Sequence, residues 1–157
     1  MSEIGKQRAE SEARHGAGRT LHPTRYGEAI NRYLGAVGYP ESSAGRPLVV
    51  GVDGSPASVQ AVDFAITEAG VRGCEVILLE AMGESATASE HSEFRDGILV
   101  HRRVVAGDPV TRLIDVSQSA AAVVVGRRGP GGFAGSLLGS VSRSMLQRAH
   151  CPVFLVG

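Results

Sequence analysis

Residues 120–142 read AAAVVVGRRGPGGFAGSLLGSVS, an apolar β-branched run, then glycines, then the opening of a helical pattern. Ala120 to Val125 has no polar alternation, which is the mark of a strand buried on both faces of a sheet. Gly126 ends it. After Gly139, Ser140 is placed to cap a helix with apolar positions Val141, Met145, Leu146 and Ala149, stopping before Cys151-Pro152. The first N–H groups of a helix have no intrahelical acceptor, and glycines just upstream let an anion approach the main chain with no Cβ in the way. The hydroxyls of Ser140 and Ser142 add donors. The chemistry is that of a phosphate cradle, although the same spacing also suits a plain strand-to-helix connection in which Ser140 is only a cap.

Outward from this stretch, strand and helix patterns alternate. Leu48 to Val52 reads as a buried strand, and Ser55-Pro56 supplies an N-cap followed by proline at the first helical position. The helix after it shows Val59, Val62, Ile66 and Ala69 at helical spacing. Cys74 to Ala81 and Ile98 to Val105 read as two more strands. Asp108-Pro109 repeats the cap-then-proline signal before a helix carrying Val110, Leu113 and Ile114, and Val153 to Val156 closes the sheet. Such alternation implies parallel crossovers and a doubly wound, Rossmann-like α/β sheet of five parallel strands. A domain is therefore expected over residues 47–157.

Residues 1–46 differ in kind, being rich in charges, glycines and turn signals, and their first half reads as disordered. Within this extension, residues 24–37 place Tyr26, Ile30, Tyr33, Leu34 and Val37 on one helical stripe, the pattern of a short amphipathic helix that Gly38-Tyr39-Pro40 ends.

Composition removes several function classes. Formal net charge is zero, so no overall field gathers nucleic acid or an anionic membrane. Cys74 and Cys151 are far apart and outside any C-x-x-C pattern, which points to neither a disulfide framework nor a zinc site and suits a reducing cytoplasm. No apolar stretch approaches a membrane span, and the charged N-terminus lacks the apolar core of a secretory signal. The sole lysine is Lys6, which excludes a Walker P-loop. Gly129-x-Gly131-x-x-Ala134 matches the dinucleotide fingerprint in letters, but it contains Pro130 and no helix pattern begins at once. No Gly-x-Ser-x-Gly elbow occurs, and the histidines form no i, i+4 pair around a glutamate, so serine hydrolysis and zinc catalysis lack a constellation. No catalytic or metal-ligating residue is assigned. His150 falls at a helix C-terminus, His91 and His101 show no partner, and Arg102-Arg103 reads as a solvated pair on a strand edge.

Gly126, two residues, Gly129, nine residues, Gly139 and Ser140 together resemble the ATP-binding branch of the universal stress protein family, within the adenine nucleotide α-hydrolase-like superfamily. The resemblance runs from about Pro47 to Gly157. It includes Val49-Val50-Gly51-Val52-Asp53-Gly54-Ser55, Glu75-Val76-Ile77-Leu78-Leu79, Gly107-Asp108-Pro109, Gly139-Ser140-Val141-Ser142 and Cys151-Pro152-Val153. It implies the strand order 3-2-1-4-5 and ATP, with or without magnesium, bound where that order reverses. Carried over, the contacts are Gly51, Val52, Asp53, Ala81, Val125, Gly126, Arg127, Arg128, Gly129, Gly139, Ser140, Val141 and Ser142. Adenine and ribose would lie against Gly51 to Asp53 and the small Ala81, and phosphates against the glycine loop. Asp53 also makes a good turn residue in Asp-Gly-Ser, and at most one of Arg127 and Arg128 is expected to matter.

The resemblance further implies a cytoplasmic stress-response regulator or energy-state switch, a homodimer through the last strand, and at most slow ATP hydrolysis. A nucleotide-free dimeric scaffold and a slow hydrolase are the alternatives. This chain departs from the family in reading Ala120-Ala121-Ala122 where Ala-Asp-Leu is common, and in a segment from Gly83 to Gly97 that is too short and polar for the family's helix. One face of the sheet is therefore expected to be bare there, with the stripe over residues 24–37 as its cover.

Overall fold

The computed structural model describes residues 45–131, 135 and 137–157. Apart from Gly45 and Arg46, the extension and its expected helix lie outside them. The elements are β1 (Leu48–Gly51), α1 (Pro56–Arg72), β2 (Val76–Met82), β3 (Ser89–Arg95), β4 (Ile98–Ala106), α2 (Pro109–Ser117), β5 (Ala122–Gly126), α3 (Ser140–Arg148) and β6 (Val153–Val156).

The five expected parallel strands pair in the expected order, here β4-β2-β1-β5-β6. A sixth strand extends the sheet. β3 adds to the outer side of β4 in antiparallel register, from Ser89 opposite Val104 to Arg95 opposite Ile98. The sheet is thus mixed and six-stranded, and the segment from Gly83 to Gly97 is filled by an edge strand. Its signal is the turn: Asp96 and Gly97 both have left-handed backbones, with φ of 50° and 80°, as a two-residue hairpin loop requires. β3 itself is polar except for Phe94 and exposes every side chain, so it carries no hydrophobic pattern.

Two apolar layers hold the sheet. Leu48, Val50, Val76, Leu78, Val100, Ala122 and Val124 face α1, while Val49, Leu79, Val123 and Val125 face α2 and α3. The α1 stripe is largely small: Ser58, Ala61, Ala65 and Ala69 are buried with Val62 and Ile66, which seats the helix close to the strands. Val59, expected in that stripe, is 56% exposed because it lies one position around the helix from Ser58. Leu146 is likewise 52% exposed, leaving Met145 as the buried anchor of α3. Phe64 of α1 meets Phe154 of β6 at 5.2 Å between ring centroids, with the Arg72 guanidinium over the Phe154 ring.

The helix ends are as the sequence sets them for α1 and α2. The Ser55 hydroxyl accepts from Ser58 N at 3.2 Å, and Gly73, left-handed at φ 66°, returns its N–H to the Ala69 carbonyl. The Asp108 carboxylate accepts from Thr111 N at 2.8 Å and from its hydroxyl at 2.9 Å. These bonds hold the Asp108 carboxyl below the usual carboxylate range. Burial pushes the Cys74 and Cys151 thiols up, which keeps both in the unreactive protonated form.

Arg102 and Arg103 lie inside the sheet and not at its edge, since β3 covers β4. Arg102 pairs with Glu80 on β2 at 2.8 Å and Arg103 with Glu90 on β3 at 2.9 Å. His101 does have partners: its Nδ1 lies 2.8 Å from Ser92 Oγ and its Nε2 3.2 Å from Glu75 Oε2. His150 falls just beyond the α3 cap residue Ala149 and donates its main-chain N–H to Ser117 Oγ at 2.9 Å.

Candidate functional site

The chain order reverses between β1 and β5, and the crevice expected at such a point lies beyond the carboxyl ends of those strands. A cavity of about 570 Å³ occupies it. Its apolar floor comes from Gly51, Leu79, Ala81, Leu113 and Val125, and its opposite wall is the glycine loop and the start of α3. A Cβ on Gly51 would stand 3.1 Å from Leu113 Cδ1 and 3.3 Å from Val125 Cγ1, so glycine there keeps the floor low.

Of the thirteen residues proposed from sequence, twelve line this cavity, and Arg127 does not. Its guanidinium turns outward to the Gly157 carbonyl at 3.2 Å, while its own carbonyl accepts from Gly139 N at 2.7 Å. Arg127 thus ties the glycine loop to the end of β6 and to the start of α3. Arg128 remains on the cavity side, joined by Arg143 from the first turn of α3, and neither makes an ion pair among the described residues. Arg143, Leu79 and Leu113 were not picked out as site residues from sequence. Arg143 stands three positions after Ser140, on the same helical face, and Leu79 two before Ala81, on the same strand face; both were findable by period.

Asp53 holds the turn and also faces the cavity. Its Oδ1 accepts from Ser55 N at 2.9 Å and from the Ser55 hydroxyl, while Oδ2 lies 2.9 Å from where a Cβ on Gly129 would stand. The glycines divide by role as well. A Cβ on Gly126 would meet Ala57 Cβ at 2.8 Å and the Ala57 carbonyl carbon at 3.0 Å, so this glycine serves the packing of β5 on α1. Gly139 has ordinary room, with Gly129 N at 3.4 Å.

The cap of α3 differs from expectation. Ser140 is the first helical residue and Gly139 is the N-cap, with no side-chain bond to the helix end. Ser142 does not offer its proton to the cavity either, since its buried hydroxyl donates to the Gly126 carbonyl at 2.6 Å. The first bond of the helix runs from Arg143 N to Gly139 O, so the N–H groups of Ser140, Val141 and Ser142 precede the intrahelical ladder. α1 and α2 have their ends closed by Ser55 and Asp108; the helix that opens onto the crevice has no such closure.

Among the described residues no helix is long and apolar enough to cross a membrane. The model of the Universal stress protein family matches residues 45–97 and 80–157. A universal stress protein of Mycobacterium tuberculosis is 36% identical in a match covering 69% of this chain and 43% of that protein. The chain spans less than half the length of the curated relatives it matches. Among solved structures, a universal stress protein in complex with cAMP superposes with a TM-score of 0.55 at 29% identity, covering 73% of this chain and 98% of the other. The Archaeoglobus fulgidus universal stress protein in complex with dAMP gives 0.55 at 21% identity over 73% and 99%, a likeness of fold.

Proposed function

This chain belongs to the universal stress protein family, and from that premise we propose that its crevice binds an adenine nucleotide, with ATP the working ligand. The observation that carries the reading is the contrast of helix ends: two are closed by side chains, and the third is left open to the crevice beside Arg128 and Arg143. Unpartnered N–H groups at the positive end of a helix dipole, with two arginines at hand, suit an anion that carries several charges. The apolar floor beneath Leu79, Ala81, Leu113 and Val125 suits a planar base. The nucleotide complex of the relative at 29% identity supports the same assignment.

In this reading Ala81, Gly51 and Val52 hold the base, Asp53 the ribose through its Oδ2, and the N–H groups of Ser140 and Val141 the phosphates. Magnesium, where present, would neutralise charge between phosphate oxygens. Among the described residues the crevice has no histidine or second carboxylate beside Asp53 for base catalysis, and in this reading occupancy, with at most slow turnover, is the signal the protein gives. That makes it a regulator whose partner contacts follow the energy state of the cell. A homodimer through β6 is part of the proposal: the strand is apolar, half-buried along its length and, among the described residues, paired only with β5.

Isothermal titration of protein stripped of copurified nucleotide tests this. One site per chain for ATP is expected, with cAMP as comparison. No heat with ATP and magnesium at millimolar concentration would leave the dimeric scaffold.

A further inference from the structure

A crossover between neighbouring parallel strands lays its contents on one face of the sheet. Between β1 and β2 that content is α1; between β2 and β4 it is only β3, which joins the sheet edge, so among the described residues the α1 face has no second helix. What lies there is a groove of about 380 Å³ between α1 and β3, with Val52, Leu78 and Val100 as its floor and Val59, Val62 and Asp63 on its α1 wall. The far rim is polar, carrying the Glu80–Arg102 and Glu93–Arg95 pairs. Asp63 makes no ion pair among the described residues, and Val59 is among the most exposed large apolar side chains.

We propose that this groove is the seat of the chain's own residues 24–37. Their stripe of Tyr26, Ile30, Tyr33, Leu34 and Val37 presents apolar surface that suits the exposed Val59 on the α1 wall and the half-buried Val52, while Leu78 and Val100 beneath are already packed on α1. Arg25 and Arg32, seven residues apart and so together on one flank of that stripe, match the lone Asp63 carboxylate on the α1 wall. The reach suffices. Residues 38–44 separate the stripe from Gly45 at the foot of β1, and seven extended residues span roughly 23 Å. The groove lies about two strand spacings away, near 10 Å, and a similar distance along the strands. The occupant is intramolecular and fills the place that a second crossover helix would take. The proposal stands apart from the nucleotide reading.

The chain has no tryptophan, and its three tyrosines, Tyr26, Tyr33 and Tyr39, all lie within or just after the segment. Tyrosine signals of the full chain therefore report on the segment with no background. A docked segment gives a tyrosine band in near-UV circular dichroism and fluorescence shielded from acrylamide. Val59→Glu with Asp63→Lys, both on the α1 wall, should abolish the band and raise quenching to its level in urea while far-UV signal is kept. Leu34→Glu, on the segment side, should do the same, and Arg25→Glu with Arg32→Glu should restore the band to Asp63→Lys. A wild-type chain without the band, or a band that survives the groove and segment variants, overturns the proposal. A band that grows with protein concentration also overturns it, by giving the groove to a second copy.

Discussion

Replacing Gly126 by alanine should cost stability before it costs ligand, because of what surrounds the added methyl. It would stand 2.8 Å from Ala57 Cβ, 3.0 Å from the Ala57 carbonyl carbon and 3.2 Å from Ser58 N, where carbon contacts normally settle at about 3.5–4.0 Å. These atoms belong to the first turn of α1, which Ser55 and Asp53 pin from below, so no side chain can rotate away. Either α1 or the end of β5 must shift by several tenths of an ångström. Overpacking of this kind costs about 1–3 kcal/mol. With an urea m-value of about 1–3 kcal/mol/M for a small domain, the midpoint should fall by roughly 1 M. Equilibrium denaturation followed by far-UV circular dichroism measures it, and Gly83→Ala, whose Cβ meets nothing within 4 Å, serves as control. If Gly126→Ala unfolds with the wild-type curve yet loses nucleotide, Gly126 is a ligand glycine and the packing argument is wrong.

Gly129→Ala with Gly139→Ala should act mainly on ligand: one methyl would press on the Asp53 carboxylate end and the other would lie on the glycine-loop backbone, so ATP titration should weaken strongly while the denaturation midpoint falls less than with Gly126→Ala, whose methyl meets backbone. Equal affinity would count against phosphate binding there. Ser142→Ala deprives the Gly126 carbonyl of its short buried bond and should cost about 1 kcal/mol, read as a lowered midpoint; an unchanged midpoint would show the bond to be replaceable. The Asp108 carboxyl is held low by the Thr111 N–H and hydroxyl, so its contribution is complete above its unfolded value and is lost as pH falls through its lowered native value. The midpoint gap between wild type and Asp108→Ala should accordingly narrow toward acid, and a gap constant with pH would refute this. Light scattering across a dilution series should give twice the chain mass, and a monomeric mass at all concentrations would remove the β6 dimer.

What was legible in the sequence follows how each element is stabilised. β1, β5 and β6 owe their place to apolar runs, and α1 and α2 to Ser55-Pro56 and Asp108-Pro109; these are local and could be read. β3 could not be read from its side chains, all of them exposed, because it is held by its ladder to β4 and by cross-strand charges such as Glu90 with Arg103. Asp96-Gly97 was its only local sign. The sheet face there was expected to be bare, yet Leu78 and Val100 are packed under α1, and past them the strands turn to Glu80 and Arg102, which solvate the rim. In the site, the glycine spacing located the crevice, whereas the outward turn of Arg127 depends on Gly157, thirty residues away. Ser142 looked like a donor to ligand, and its use on Gly126 depends on a contact sixteen residues back.

β3 also sets how the molecule can add to others. A sheet has two terminal strands, each a place where another strand can join. Here one terminus carries Glu90, His91, Glu93 and Arg95 on a strand with every side chain in water, and the other is the four-residue apolar β6. In the language of polymer chemistry the proposed β6 pairing would give the unit a functionality of one. Under the proposed β6 pairing, two such units would expose their charged β3 ends, which disfavour further strand addition, so association would stop at the pair and no fibre would grow.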